Sequence, residues 1–166
     1  WNYNHVLPYF RKAENTTIPS LMHSHYHSTN GPLSVSYSNY DNQLLKEFLK
    51  AGNEFGLETV DYNGAQQIGI SHIQTTIRNG TTRCSASKAY LQPIRYRTNL
   101  YIFKNTLVTK VIFNETNRIA IGVECFKNGE HFNVFANKEV IISAGAINTP
   151  KLLLLSGVGP RKQLKE

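Results

Sequence analysis

Asn128-Gly129 lies between two runs in which apolar and polar residues alternate, and nothing else in the chain constrains the fold as strongly. Both residues tolerate the positive φ that a tight hairpin turn demands, while alternation puts every second side chain on a buried face. The same period of two runs through residues 100–103, 107–113, 119–126 and 132–136. The second half is therefore expected to be an antiparallel meander, with the polar stretch 114–118 as its other turn. Residues 139–142 (EVII) break the alternation and predict a strand buried on both faces.

Directly after that run comes SAGAINTPKLLLLSGVGP, residues 143–160. Thr149 is the expected N-cap of a helix, Pro150 its first residue and Gly157 its left-handed stop. A strand, a turn of small residues and a helix in this order suit close approach of backbone to a ligand. They suit a tightly packed corner without a ligand equally well. Neither a GxGxxG nor a P-loop occurs in the sequence, so the chain carries no phosphate cradle of its own.

The first half is less periodic. Residues 1–30 are aromatic and polar, with a short helix expected over 6–12 starting near Pro8. LSVSYS (33–38) reads as an exposed strand and 64–77 as a β-branched, Thr- and Gln-rich strand. Residues 41–56 predict a helix capped by Asp41, with Leu44, Leu45, Phe48, Leu49 and Phe55 on one face and Gly56 at its end. A shorter helix over 85–91 has Ser85 as cap. The expected class is α+β, grading into α/β at the end, with the clearest change of character near 78–84.

Several functions are disfavoured. The net charge is +7, but the 18 Lys and Arg are scattered rather than clustered, so no nucleic-acid partner is expected. No apolar run reaches the ~20 residues that span a bilayer. Cys84 and Cys125 have no CxxC spacing and read as two free thiols. His23-x-His25-x-His27 lies in a Pro- and Gly-bounded loop without an acidic or Cys partner nearby in sequence, so no metal site is expected. No serine stands in a GxSxG context. Sequons at Asn15, Asn79 and Asn114 number about what 17 Asn and 24 Ser plus Thr would give by chance. Both ends have the look of cuts, and an internal piece of a longer protein is expected.

The stretch 145–159 resembles the second signature of the glucose–methanol–choline (GMC) flavin oxidoreductases: Gly145-Ala146, Thr149-Pro150, Leu152-Leu153 and Ser156-Gly157-Val158-Gly159 fall on its pattern. WNYNHVLPYFRKAE (1–14), YHSTNGPL (26–33), DYNGAQQIG (61–69), RCSASKAYL (83–91) and 99–111 are similar to family segments in the same order. The resemblance is nearest to the insect glucose-dehydrogenase-like branch, and only the loop NGTTR (79–83) departs, being a residue longer than the family pattern. The resemblance implies an FAD-binding domain portion with part of an antiparallel-sheet substrate domain. Residues 1–25 would close a first FAD-domain section, 26–80 open the substrate domain, and 81–166 return to the FAD domain.

It further implies an FAD-dependent oxidoreductase that takes a hydride from the CH–OH group of a small alcohol or sugar, with quinone or oxygen as electron acceptor. The catalytic His pair of the family would lie outside this sequence, so no catalytic residue is assigned. Val108 would meet the adenine edge through its backbone, and Ala144 and Gly145 would lie beside the adenosine. His27 would have a structural role, and secretion would be the expected localisation. The competing expectation is an inactive paralogue used as an extracellular binding protein.

Overall fold

Asn2 starts the first helix: its Oδ1 accepts the His5 N–H at 3.1 Å, and the helix α1 runs Tyr3–Ala13. The cap, rather than Pro8, fixes this start, so the helix begins earlier than the sequence suggested. Pro8 is interior, and the carbonyl it leaves without a helical N–H belongs to the exposed Asn4. The chain is described from a computed structural model covering residues 1–40 and 42–165. It divides into two units, Trp1–Leu100 and Tyr101–Glu166.

In the first unit α1 turns directly into β1 (Glu14–Thr16), which pairs in parallel with β2 (Leu33–Tyr37), Glu14 opposite Leu33 and Thr16 opposite Val35. β2 pairs in turn with β3 (Gln74–Thr75), antiparallel. A separate hairpin joins β4 (Ile77–Arg78) to β5 (Thr82–Arg83). The alternation of LSVSYS is thus real, but its sense is reversed. Ser34 and Ser36 are buried, while Leu33, Val35 and Tyr37 are half-buried. The serines can face inward because the space is small and a backbone acceptor is at hand: Ser36 Oγ donates to the Ile77 carbonyl at 3.1 Å. Of the expected strand 64–77 only its last residues pair as strand, since the preceding segment bends at Asp61–Gly64 and makes a lone bridge from Ile70 to Thr59.

Helix α2 spans Gln43–Glu54. Asp41 lies outside the described residues, and the cap is Asn42, whose side chain accepts the Leu44 N–H at 2.9 Å. Gly56 has φ +93° and closes a Schellman motif, Leu57 N–H to Gly52 O and Gly56 N–H to Asn53 O. The apolar face is present but uncovered, with Leu44, Phe48 and Phe55 exposed. Ser85 holds the start of the helical turn Ser87–Leu91, which is π-wound and runs on through Pro93 into a 3₁₀ turn.

The second unit is a meander in sequence order: β6 (Leu107–Phe113), β7 (Ala120–Lys127) and β8 (Glu130–Phe135). Asn128 and Gly129 both have positive φ, 53° and 89°, as the turn requires. Val111, Gly122 and Cys125 are its buried positions. Helix α3 (Gly145–Leu155) packs on β6. Two expectations fail here. Residues 100–103 are unpaired, with 101–103 exposed, and 139–142 are unpaired too, with Ile141 78% exposed. An apolar run needs strands on either side to become a buried strand, and none of the described residues supplies them.

Candidate functional site

β6 is an edge strand of its sheet, and a side-chain bond joins it to the end of α3. Ser156, at the end of α3, accepts the Val111 N–H at 2.8 Å and donates to the Leu152 carbonyl at 2.6 Å. One hydroxyl therefore satisfies an edge donor of the sheet and a terminal acceptor of the helix. The helix closes behind it in a Schellman motif: Gly157 has φ +81°, Val158 N–H bonds Leu153 O, and Gly157 N–H bonds Leu154 O. The Ser-Gly pair of the sequence signature is thus a joint between helix and sheet.

Between the two elements lies a groove of about 380 Å³, bordered on one side by Leu107, Val108 and Thr109 and on the other by Ala144, Asn148 and Lys151. The structure brings Val108 and Ala144 together on this groove. Gly145 does not line it. Its φ is +89°, and a Cβ built there meets nothing within 4 Å, so glycine is needed for the backbone conformation, not for room. Thr149 does not cap the helix from outside but sits within it, its Oγ1 accepting the Ala144 N–H at 3.1 Å. That bond holds the small-residue turn against the first turns of α3.

A bulge decides which way the Val108 backbone faces. The register steps from Val108 opposite Cys125 to Lys110 opposite Glu124, leaving Thr109 extra. The Thr109 hydroxyl fills the gap by bonding the Glu124 carboxylate, which holds that carboxyl below its ordinary range. In β7, Ile121 O faces β8, since Ala136 N–H bonds it, so alternation turns Cys125 toward β8 as well. Val108 opposite it then directs its N–H and C=O away from β7. Val111 faces the same open edge, as its bond to Ser156 shows. Without the bulge, residues three apart would face opposite ways. The site therefore offers one backbone donor and one acceptor on a groove wall of small and aliphatic side chains, a set that fits the planar edge of a purine-like ring.

In the first unit the histidine expected to be merely structural is the centre of a polar cluster. His27 is buried, with Nδ1 2.7 Å from Glu14 Oε1 and Nε2 2.7 Å from Asp61 Oδ2. Burial opposes its charge, but the two carboxylates outweigh that and raise its pKa above the ordinary 6.5. Asp61 is held below its usual range for the matching reason: burial pushes it up, and the bonds from His27, Gln74 and Asn63 push it further down. His23 and His25 are exposed and take no part. Among the described residues, no group of His, Cys, Asp and Glu is arranged to hold a metal ion.

Residues 1–165 match the family model described as GMC oxidoreductase. The chain belongs to the GMC oxidoreductase family. It is 45% identical to a human protein named choline dehydrogenase, mitochondrial, over all of this chain and 27% of that protein. It is 40% identical to Drosophila melanogaster glucose dehydrogenase [FAD, quinone], again over all of this chain and 27% of that protein. Solved structures agree. An FAD-dependent oxidoreductase from Chaetomium thermophilum superposes with a TM-score of 0.86 at 34% identity, covering 99% of this chain and 30% of that one. Pyridoxine 4-oxidase from Mesorbium loti superposes at 0.87 and 28% identity, over 99% and 32%. The α+β class is that of a GMC domain, and the chain spans just over a quarter of the curated relatives it matches.

The sequence did not disclose three features of these sites: the Ser156 joint, the Thr109 bulge and the carboxylate pair around His27. The last two depend on residues brought together from distant segments or on a slip of register, neither of which leaves a local pattern. Ser156 had a signal, since it is fixed in the family signature.

Proposed function

We infer that the chain is part of an FAD-dependent oxidoreductase that oxidises the CH–OH group of a small alcohol or sugar. The observation that carries this reading is the β6–α3 groove, where the bulge at Thr109 turns the Val108 backbone donor and acceptor outward opposite Ala144. Val108 would hold the adenine edge of FAD, and Ala144 would lie beside the adenosine, with Gly145 setting the turn that brings it there. When bound, the flavin supplies hydride acceptance; these residues bind and orient its far end and take no part in the chemistry. The relatives named as quinone- or oxygen-dependent point to one of those two acceptors.

Residues 1–25 and 81–166 would belong to the FAD domain and 26–80 to the substrate domain. Unpaired residues 139–142 would then be a central strand whose neighbours come from other parts of the polypeptide. We propose a secreted location for the protein, while the human choline dehydrogenase that it resembles is named mitochondrial.

Two measurements on the full-length protein test the reading. Heat denaturation is expected to release FAD, identified by its absorption and mass; release of no flavin from protein purified with its cofactor retained defeats the proposal. Val108→Pro removes one backbone N–H at an open strand edge, where proline is tolerated. It is expected to weaken FAD binding about tenfold, the equivalent of one ~1.4 kcal/mol hydrogen bond, while Val108→Ala leaves affinity unchanged. Equal effects of the two variants would remove Val108 from the cofactor site.

A further inference from the structure

We propose that His27 is a resident imidazolium, protonated on both ring nitrogens at neutral pH, whose charge fastens three separate segments of the first unit into one body. The segments are the α1–β1 junction at Glu14, the loop that carries His27, and the bend at Asp61. None of them is joined to all the others by a β-ladder.

The geometry requires two donors on the ring. Each nitrogen faces a carboxylate oxygen at 2.7 Å, and each carboxylate has its other oxygen engaged as an acceptor. Glu14 Oε2 accepts the Ser28 N–H at 3.3 Å. Asp61 Oδ1 accepts the Asn63 N–H at 3.1 Å and the Gln74 amide at 2.8 Å. A neutral imidazole has one N–H, so one of these contacts would become acceptor against acceptor unless a carboxylate took the proton. The His27 side chain is 2% exposed, against 16% for Glu14 and 19% for Asp61, so water does not substitute for the missing bond at the ring.

The remaining groups facing the cluster agree with this assignment. Arg11 Nε donates to the His27 carbonyl at 3.2 Å, tying the same loop to α1. Tyr37 on β2 is pushed up by burial and by the charge of Asp61, and so stays neutral. Tyr62 receives the Gln74 N–H at 2.7 Å, and Tyr26 lines the adjoining cavity of about 430 Å³ with Tyr3. Two carboxylates, one imidazolium and one guanidinium make a cluster balanced in charge.

The sign of the pH dependence follows from both partners. His27 has a raised pKa, so its contribution is complete below 6.5 and is lost as pH rises through the folded value. Asp61 has a lowered pKa, so its contribution is complete above 3.8 and is lost as pH falls through the folded value. The fastening is therefore complete between these two limits and is released as pH rises through the folded value of His27.

The test uses the full-length protein labelled with 15N on the histidine rings, His27 being assigned by the signal that is missing in His27→Gln. At pH 7.5, where a free imidazole is roughly one-tenth protonated, the His27 ring is expected to show two N–H signals with imidazolium shifts. Asp61→Asn and Glu14→Gln should each lower the His27 pKa and abolish the second N–H at that pH. One N–H together with one unprotonated ring nitrogen in the wild type would overturn the proposal, as would a His27 pKa unmoved by either variant. Amide exchange near residues 14, 27 and 61 should speed up in step as His27 loses its proton; independent behaviour of the three segments would also overturn it.

Discussion

The two units are held together by different means. In Tyr101–Glu166 a ladder of strands seven, eight and six residues long supplies the order, and one hydroxyl attaches the helix. Among the described residues of Trp1–Leu100 no strand exceeds five residues. Side-chain bonds take the place of a ladder there: His27 to Glu14 and Asp61, Ser36 to the Ile77 carbonyl, and Thr75 Oγ1 to the Ser36 carbonyl at 2.9 Å. Buried Thr16, His27, Ser34 and Ser36 give this unit a core that is half polar. Such a core tolerates little, because each buried polar group left alone costs about 1–3 kcal/mol.

The contrast is sharpest at Gly31. A Cβ there would stand 2.3 Å from the Ala13 carbonyl carbon and oxygen and 2.5 Å from Glu14 O, all backbone. Gly31→Ala is expected to destabilise by about 3 kcal/mol. Hydrogen exchange should show protection lost in the first unit and kept in the β6–β7 ladder; a uniform loss across both would break the distinction drawn above. Ser156→Ala probes the single side-chain joint of the second unit. Leaving the Val111 N–H without an acceptor should cost about 1.5 kcal/mol, with faster exchange at Val111 alone, while Ser156→Thr restores most of it. Faster exchange throughout β7 and β8 would mean that the meander depends on the helix after all. The smallest effect belongs to Gly145→Ala, about 1 kcal/mol for a Cβ at positive φ, read as a shift in thermal midpoint. A loss as large as that at Gly31 would show that the site is crowded, against the open space seen around it.

The ladder was legible because its rules are local. Alternation places β6, β7 and β8 to within two residues, Asn128-Gly129 places the turn, and Gly56 and Gly157 end their helices as their left-handed φ requires. Errors arose where the decisive partner is remote. Residues 139–142 have the composition of a central strand but no neighbour among the described residues, and Ser36 is buried where the remote Ile77 carbonyl accepts its hydroxyl. His27 illustrates the limit most clearly. Nothing near it in sequence announces Glu14 or Asp61, so its loop reads as three histidines without an acidic partner. Within the candidate site, Val108 and Ala144 were found through the family pattern, while the bulge that turns the Val108 backbone outward has no sequence signal beyond a threonine in a strand.

The reach of the His27 cluster also bears on how the chain is made. Asp61 follows His27 by 34 residues, so at ~5–20 residues per second a ribosome needs roughly 2–7 s to add it. Until then the histidine has only Glu14, and the ring can exchange its second proton with water. The meander needs no such wait, since each of its strands finds its partner within one turn. The first unit is synthesised first, yet it is the one that waits longest for its last partner.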